Sequence, residues 1–414
     1  MNDNNLNVFD KISAPVIPFI EEAQNNIPND AATYTLSFLP FTINILFAII
    51  NRVQSVSLLV TDIKTSDSAK SLGLAVASKS MYSEAFVRYN PELFRSVFVK
   101  SLTALNFLHI PEIAHLGQIM LIDGSLFPAI STMSWASYKS TANAIKIHLS
   151  FNLNKMIPVE FLAKEGNYSE KKFLKDILQK GITYVCDRGY ISFKLFKNIS
   201  DKKAFFIIRG KKGILYNISE ELNIDIPGEF FKFFSKIKDI KIKFTNDKDD
   251  NTYRIVKFKA MGEIYALVTN RFDLTTYEVI MLYAYRWQIE LCFRFIKRTL
   301  TCIHLMSRSP DGIQIQFYLY MIAYLLILAF KQECHKISDE YEVHDDSKDS
   351  KIDKKTNAGF NIEPVRPYVR GLVTLLGEGL IKYWKIGLHW LRVLRNFLLK
   401  TFDHNIAIEL SRYD

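Results

Sequence analysis

Apolar residues along this chain change period several times, and the changes mark its elements. Residues 1–33 are polar and Asn-rich and predict a flexible arm. From about 34 to 110 apolar positions recur every three to four residues, which predicts a helical region. Within it, SAKSLGLAVASKSMYSEAFVRY (Ser68–Tyr89) has the layout of a helix-turn-helix, with Gly73 at the turn and Ser78, Lys79, Ser80 and Arg88 available to a DNA groove. The bland alternative is a small helical bundle. Short apolar runs then predict strands at Gln118–Asp123, Ala144–Phe151, Ile157–Ala163, Thr183–Asp187 and Ala204–Arg209, with a helix over Glu170–Lys180. The order is β-β-β-α-β-α-β, so the class is α/β.

Farther along, IKIKF (Ile240–Phe244) alternates apolar and basic residues, and the polar turn Asn246–Asn251 leads into Tyr253–Lys259. This predicts a basic hairpin inside a β-rich insertion at about 211–262. Lys241 and Lys243 on it either contact nucleic acid or keep a sheet edge from pairing with other chains. Thr275 and Glu278 form a capping box that starts the next helix. Phe317–Phe330 is apolar but too short for a bilayer, which predicts a buried helix. Residues 336–362 read as a charged linker. Residues 363–414 read as a helical region whose amphipathic stretch Leu380–Lys400 suits dimerisation, DNA contact or docking on its own core.

Composition narrows the class. With 414 residues, two or three units are expected, and 49% hydrophobic content can fill their cores. A net charge of +10 favours a polyanionic partner. Cys186, Cys292, Cys302 and Cys334 form no CxxC pair and read as reduced thiols. The polar, acidic first residues carry no signal-peptide pattern, so a cytoplasmic, nucleoid-associated protein without membrane attachment is expected.

Three acids carry the candidate chemistry. Asp123 and Asp187 each end an apolar run and precede a glycine, in IMLIDGS and ITYVCDRGY. Ligands gather at such strand ends in open α/β sheets. The third acid, Glu290, lies in LYAYRWQIELCFRFIKRTL (Leu282–Leu300). Read as one continuous helix, that segment brings Tyr283, Arg286, Glu290 and Lys297 into an arc of roughly 60°, with Trp287, Arg294 and Arg298 beside them. A carboxylate among cations and aromatics suits a metal-binding acid beside a polyphosphate. The plainer reading is an amphipathic surface helix with Glu290 paired to Arg286 or Arg294.

These segments resemble the DDE transposases. Tyr283-x2-Arg286-x3-Glu290-x6-Lys297 matches the YREK signature of one bacterial insertion-sequence group, the IS-four and Tn-five-like transposases. DGS after the first strand and DRGY after a later one fit the same group. The resemblance covers roughly residues 34–331 and is weakest at residues 1–33 and near 340–360.

The resemblance implies an RNase H-like catalytic core over 111–335, interrupted by the β-rich insertion and preceded by a helical DNA-binding region. It implies Asp123, Asp187 and Glu290 as catalytic, metal-holding residues for two Mg²⁺ ions, for which Mn²⁺ can substitute, with Asp123 bridging them. It also implies cut-and-paste transposition, through a hairpin at the transposon end, on double-stranded DNA carrying terminal inverted repeats and on target DNA. The enzyme would act as a homodimer in the synaptic complex. Tyr283, Arg286, Lys297, Arg188, Trp287, Arg294, Lys241 and Lys243 are the expected DNA contacts. Trp287 or Trp135 could stack on a displaced base, and Lys146 with His148 forms a K-x-H pattern common in the group. Two other readings stay open: a catalytically inactive DNA-binding descendant, and a metal-dependent nuclease that cuts without joining.

Overall fold

A computed structural model of the chain describes residues 8–27, 36–107, 110–139, 142–211, 213–247, 249–260 and 263–345. The expected linker beyond 345 and the C-terminal region 363–414 lie outside these residues. By contact the described chain forms two units, 8–107 with 294–345, and 110–293.

The first unit is helical. Its opening helices, α1 (Val8–Ser13) and α2 (Ile17–Asn25), flank a 3-10 turn at Ala14–Val16. Much of the expected flexible arm is therefore helix. Phe9, Ile12, Val16, Ile20 and Ala23 recur every three to four residues and are buried, a stripe that the surrounding Asn and Asp residues disguise. Five more helices follow: α3 (Phe38–Ile50), α4 (Val56–Thr65), α5 (Asp67–Ser71), α6 (Lys79–Arg88) and α7 (Pro91–Ala104). Gly73, at φ +63°, turns the chain between α5 and α6, a backbone state costly for residues with a Cβ. The Ser78 hydroxyl caps α6 by accepting from the Met81 N–H at 3.3 Å. On α3, the Phe41 ring touches those of Phe86 at 5.0 Å and Tyr89 at 5.6 Å.

The last helix of this unit, α13 in chain order (Pro310–Asp345), is longer than expected and absorbs the start of the predicted linker. Its apolar portion, Pro310–Glu333, has the length and composition of a membrane-crossing helix. Phe317–Phe330 alone is thus an underestimate of the apolar stretch. Ile313, Phe317, Leu319, Ile322 and Leu325 are fully buried, and Tyr318 packs on Phe98 of α7 at 6.1 Å. These are the surroundings of a core helix.

The second unit is built on a ten-stranded mixed sheet. Its strands are β1 (Ile119–Ala129), β2 (Ser137–Lys139), β3 (Ala142–Asn152), β4 (Ile157–Glu165), β5 (Thr183–Cys186), β6 (Phe205–Arg209), β7 (Tyr216–Glu221), β8 (Ser235–Phe244), β9 (Thr252–Ala260) and β10 (Glu263–Thr269). They run in the order β2-β3-β1-β5-β6-β10-β9-β8-β7, with β4 on β3. β5 and β6 lie parallel to β1 and to each other, and β3 lies antiparallel to β1. α8 (Glu170–Asp176) and α9 (Phe193–Asp201) cover one face, where Phe173, Leu174, Phe196 and Ile199 pack on Ile122, Tyr184 and Phe206. A short helix, α10 (Gly228–Phe231), lies between β7 and β8.

The β-rich insertion extends this sheet. Its hairpin, β8 with β9, joins through β10, which pairs antiparallel with β6. A buried ionic network anchors it. Arg254 on β9 donates to Asp239 on β8 at 2.8 and 2.6 Å, and to the Arg271 and Leu274 carbonyls at 3.0 and 2.5 Å. Asp239 also accepts from the Thr276 hydroxyl at 2.8 Å. Arg271 in turn donates to the Thr183 hydroxyl on β5 at 2.5 Å and to the Leu116 carbonyl at 3.2 Å. The network therefore fixes the start of α11 (Thr276–Tyr285), whose capping box pairs Thr275 and Glu278 as expected. α11 leads to α12 (Trp287–Arg294), the carrier of Glu290.

Candidate active site

Strand pairing brings two of the acids together. β1 and β5 are parallel, and Ile122 pairs with Cys186, so Asp123 and Asp187 leave adjacent strands side by side. Asp123 does not end its strand, as its apolar run suggested. β1 continues to Ala129 because β3 stays paired with it as far as Asn143, while pairing with β5 stops at Ile122. Each carboxylate is oriented by a nearby glycine: Gly124 N–H donates to Asp123 Oδ1 at 2.8 Å and Gly189 N–H to Asp187 Oδ1 at 2.7 Å.

The segment bearing Glu290 is broken rather than continuous. α11 ends at Tyr285, Arg286 caps it with a tightened turn, and α12 begins at Trp287. The Arg286 N–H bonds to the Tyr283 carbonyl, and the Arg286 carbonyl accepts from Ile289, the three-residue spacing of a 3-10 turn. Beyond α12, Phe295–Thr299 forms a π-helical turn. Both breaks alter the register behind the single-stripe reading.

Arg286 links the acids across this break. Its guanidinium donates to Glu290 at 2.7 Å and lies 3.6 Å from Asp123. It also lies over the Tyr283 ring, 5.7 Å from its centroid. Burial alone would lower the Arg286 pKa, but Tyr283, Glu290 and Asp123 outweigh it and hold the group charged. Burial raises the Asp123 carboxyl from 3.8 to about 6, opposed by Arg286 and the Gly124 N–H and reinforced by Asp187 and Glu290. Burial raises the Tyr283 phenol too, against Arg286 and Arg209.

The other expected residues are more scattered. Arg188 is exposed in a 3-10 turn after Asp187. Trp287 is half-buried at the start of α12. Lys241 pairs with Glu220 on β7 at 3.4 Å, and Lys243 pairs with Asp250 in the hairpin turn. Both pairs are solvent-exposed and therefore weak, so they decide neither for the DNA-contact role nor for the sheet-protecting one. Arg294 and Lys297 belong by contact to the helical unit, Lys297 within the π turn. His148 is buried between the rings of Tyr168 and Phe173, 5.4 Å from each. Burial and then Lys146 lower its pKa to about 4, so it stays neutral.

Sequence reading missed two charged residues here. Ile208 pairs in parallel with Cys186, so Arg209 leaves β6 beside Asp187. It lies over the Tyr265 ring at 4.5 Å and pairs with Glu263 at 2.9 Å. The signal was a cation closing the apolar run FFIIR. Glu170, the first residue of α8, approaches Gly124 and Gly189, and nothing local in the sequence marks it.

The transposase DDE domain family matches residues 114–326, more than half of the chain. The chain belongs to that family. A transposase-named protein of Sinorhizobium fredii (y4zB) is 26% identical over 216 residues, 51% of this chain and 60% of its own. The probable transposase of insertion sequence element IS5377 from Geobacillus stearothermophilus is 22% identical over 202 residues, 47% and 52% of the two chains. A Synechocystis relative named for element IS4SA is 22% identical over 216 residues, 51% and 59%. The chain thus spans about half to three-fifths of the length of these three relatives, two of which are named for bacterial insertion-sequence elements. Among solved structures, a piggyBac transposase synaptic complex with hairpin DNA aligns over 86% of this chain and 87% of its own at TM-score 0.38 and 10% identity, a likeness too distant to reason from.

In this DDE-family protein Asp123 is a stability liability with a definite pH signature. Its folded pKa of about 6 exceeds the unfolded 3.8, so folding favours the protonated form. The resulting stabilisation is complete below about pH 4 and lost as pH rises through 6. Asp123→Asn mimics the protonated side chain without titrating. Denaturant unfolding should show the variant more stable than the parent by about 2–3 kcal/mol at pH 8 and indistinguishable near pH 4. An equal difference at both pH values would refute the shift.

Proposed function

We propose that this protein is a metal-dependent DNA transposase that cleaves strands at transposon ends and joins the freed ends to target DNA. The observation that carries this reading is the adjacency of Asp123 and Asp187 at neighbouring strand positions, with Glu290 linked to Asp123 through Arg286. An RNase H-like core is supported by strand order: the five strands β4-β3-β1-β5-β6 combine an antiparallel meander with two strands parallel to β1, with α8 and α9 on their connections.

The acids fit Mg²⁺ by donor type, since hard carboxylate oxygens are its preferred protein ligands. Burial, with smaller contributions from the neighbouring Asp187 and Glu290 charges, raises the Asp123 carboxyl, and a bound cation would favour its ionised form. As they stand, no three His, Cys, Asp or Glu side chains among the described residues form a ready metal cluster, and Arg286 bridges Asp123 and Glu290. Asp123 and Asp187 would hold the metal, joined by Glu290 as Arg286 turns from it to a phosphate. When bound, two such ions activate the attacking oxygen and stabilise the leaving oxygen of a phosphodiester. The protein's own groups position the strand: Arg286, Arg188 and Arg209 neutralise backbone phosphates, and Tyr283 orients the Arg286 guanidinium. Trp287 supports a displaced base, and the helical unit binds the same DNA through Lys297 and the helix-turn-helix segment of α5 and α6. Pairing of two ends calls for a homodimer.

The deciding experiment is strand transfer. Purified protein is given pre-cleaved transposon-end duplex, supercoiled target plasmid and Mg²⁺. Joined products are expected. Cleavage of uncut ends without joining would favour the nuclease reading, and DNA binding without either would favour the inactive descendant.

A further inference from the structure

A second charged cluster adjoins the two Asp–Gly turns and is absent from the proposed chemistry. Lys146 and His148 on β3 lie opposite Leu126 and Gly124 of β1, so both share the face that Gly124 leaves open. Glu170, from the first turn of α8, meets Lys146 there at 2.6 Å. A Cβ on Gly124 would lie 3.0 Å from Lys146 Cε, 3.3 Å from Glu170 Oε1 and 3.4 Å from His148 Nδ1. A Cβ on Gly189 would lie 2.8 Å from Glu170 Oε2 and 2.9 Å from Asp187 Oδ1.

One carboxylate therefore fills the space both glycines leave, and each glycine N–H orients a candidate catalytic aspartate. Lys146 and Glu170 are mostly buried, with side chains 16% and 25% exposed, so little solvent screens their charges. Both ring nitrogens of His148 are buried without a hydrogen-bond partner in the structure, which leaves Lys146 as the cation facing Glu170.

We propose that Glu170 is a positioning residue: paired with Lys146, it packs as a neutral peg between the Asp123–Gly124 and Asp187–Gly189 turns and sets the two aspartates for cation binding. The proposal rests on the transposase reading above. Groups behind metal ligands typically change metal affinity by 10–100-fold when altered. The pair also makes a signed electrostatic prediction. Glu170→Gln keeps the shape but leaves the Lys146 ammonium uncompensated, which opposes a cation nearby. Lys146→Met leaves an uncompensated carboxylate, which does not. The double replacement restores neutrality.

The test titrates Mn²⁺ into full-length protein without DNA, following free Mn²⁺ by paramagnetic resonance and the thermal midpoint in parallel. Glu170→Gln is expected to weaken Mn²⁺ binding about tenfold. Lys146→Met should bind at least as tightly as the parent, and Lys146→Met/Glu170→Gln should recover to within about threefold of it. Asp187→Asn is the control for the underlying reading. If Asp187→Asn weakens binding and Glu170→Gln does not, or the double variant fails to recover, the positioning role is overturned while the metal site stands. If the parent binds no Mn²⁺, or Asp187→Asn binds as the parent does, the metal reading itself fails and the positioning role falls with it.

Discussion

Replacing Asp123, Asp187 or Glu290 by alanine is expected to lower strand cleavage by about a thousandfold or more while DNA binding persists. The reason is a division of labour. Binding to a polyanion draws on cations spread over a chain of net charge +10, and losing one acid does not weaken them. Cleavage, on the proposed reading, depends on carboxylates that must be ionised and oriented. Asp123 and Asp187 each have one oxygen fixed by a glycine N–H. Glu290 is held by Arg286 at 2.7 Å. The three substitutions should differ in stability even though they agree in activity. Losing Asp123 relieves a carboxylate that burial disfavours, whereas losing Glu290 strips a half-buried guanidinium of its nearest partner. Electrophoretic mobility shift and thermal unfolding, run on the same preparations as the cleavage assay, separate these effects. Loss of DNA binding together with cleavage would indicate a structural defect instead.

The second large effect lies away from the acids. Asp239→Ala should destabilise the protein by about 3–5 kcal/mol, because it leaves Arg254 buried and charged without its carboxylate. Both side chains are nearly inaccessible, 0% and 4% exposed, so solvent cannot take the lost partner's place. A domain's whole stability is about 5–15 kcal/mol, so roughly a fifth or more of it is at stake. Asp239 also accepts from Thr276 at the start of α11, so partial unfolding should loosen the helix that leads to Arg286 and Glu290. Replacing both ions by apolar residues of similar size, Asp239→Leu with Arg254→Met, should recover much of the loss. Denaturant unfolding of single and double variants measures this directly. A single-variant loss below about 1 kcal/mol would show that the network contributes little.

Much of this arrangement could be read from local pattern, and most of the exceptions rest on contacts between residues far apart in sequence. Apolar runs located the strands before both aspartates, and Thr275 with Glu278 announced the start of α11. The amphipathic stripe of residues 8–25 was also present, but polar neighbours obscured it. Long-range pairing was not readable. The insertion's attachment to β6 through β10 depends on partners far apart in sequence. The same is true of Glu170, whose place beside two glycines follows from how α8 packs, and of Arg209, whose place beside Asp187 follows from strand register. The turn at Arg286 was hidden for a different reason. No Gly or Pro marks it, and a long-range tie from Arg286 to Asp123 accompanies the break.

The measurement that bears most directly on the central claim is cleavage of an end-labelled duplex carrying the element's terminal sequence and flank, resolved on a denaturing gel. Parent protein and Glu290→Ala are compared with Mg²⁺, with Mn²⁺ and with chelator. Nicks and hairpin products are expected for the parent with either metal, none with chelator, and none for Glu290→Ala despite undiminished binding of the same duplex. Equal cleavage by Glu290→Ala, or cleavage by the parent that survives the chelator, would contradict the central claim.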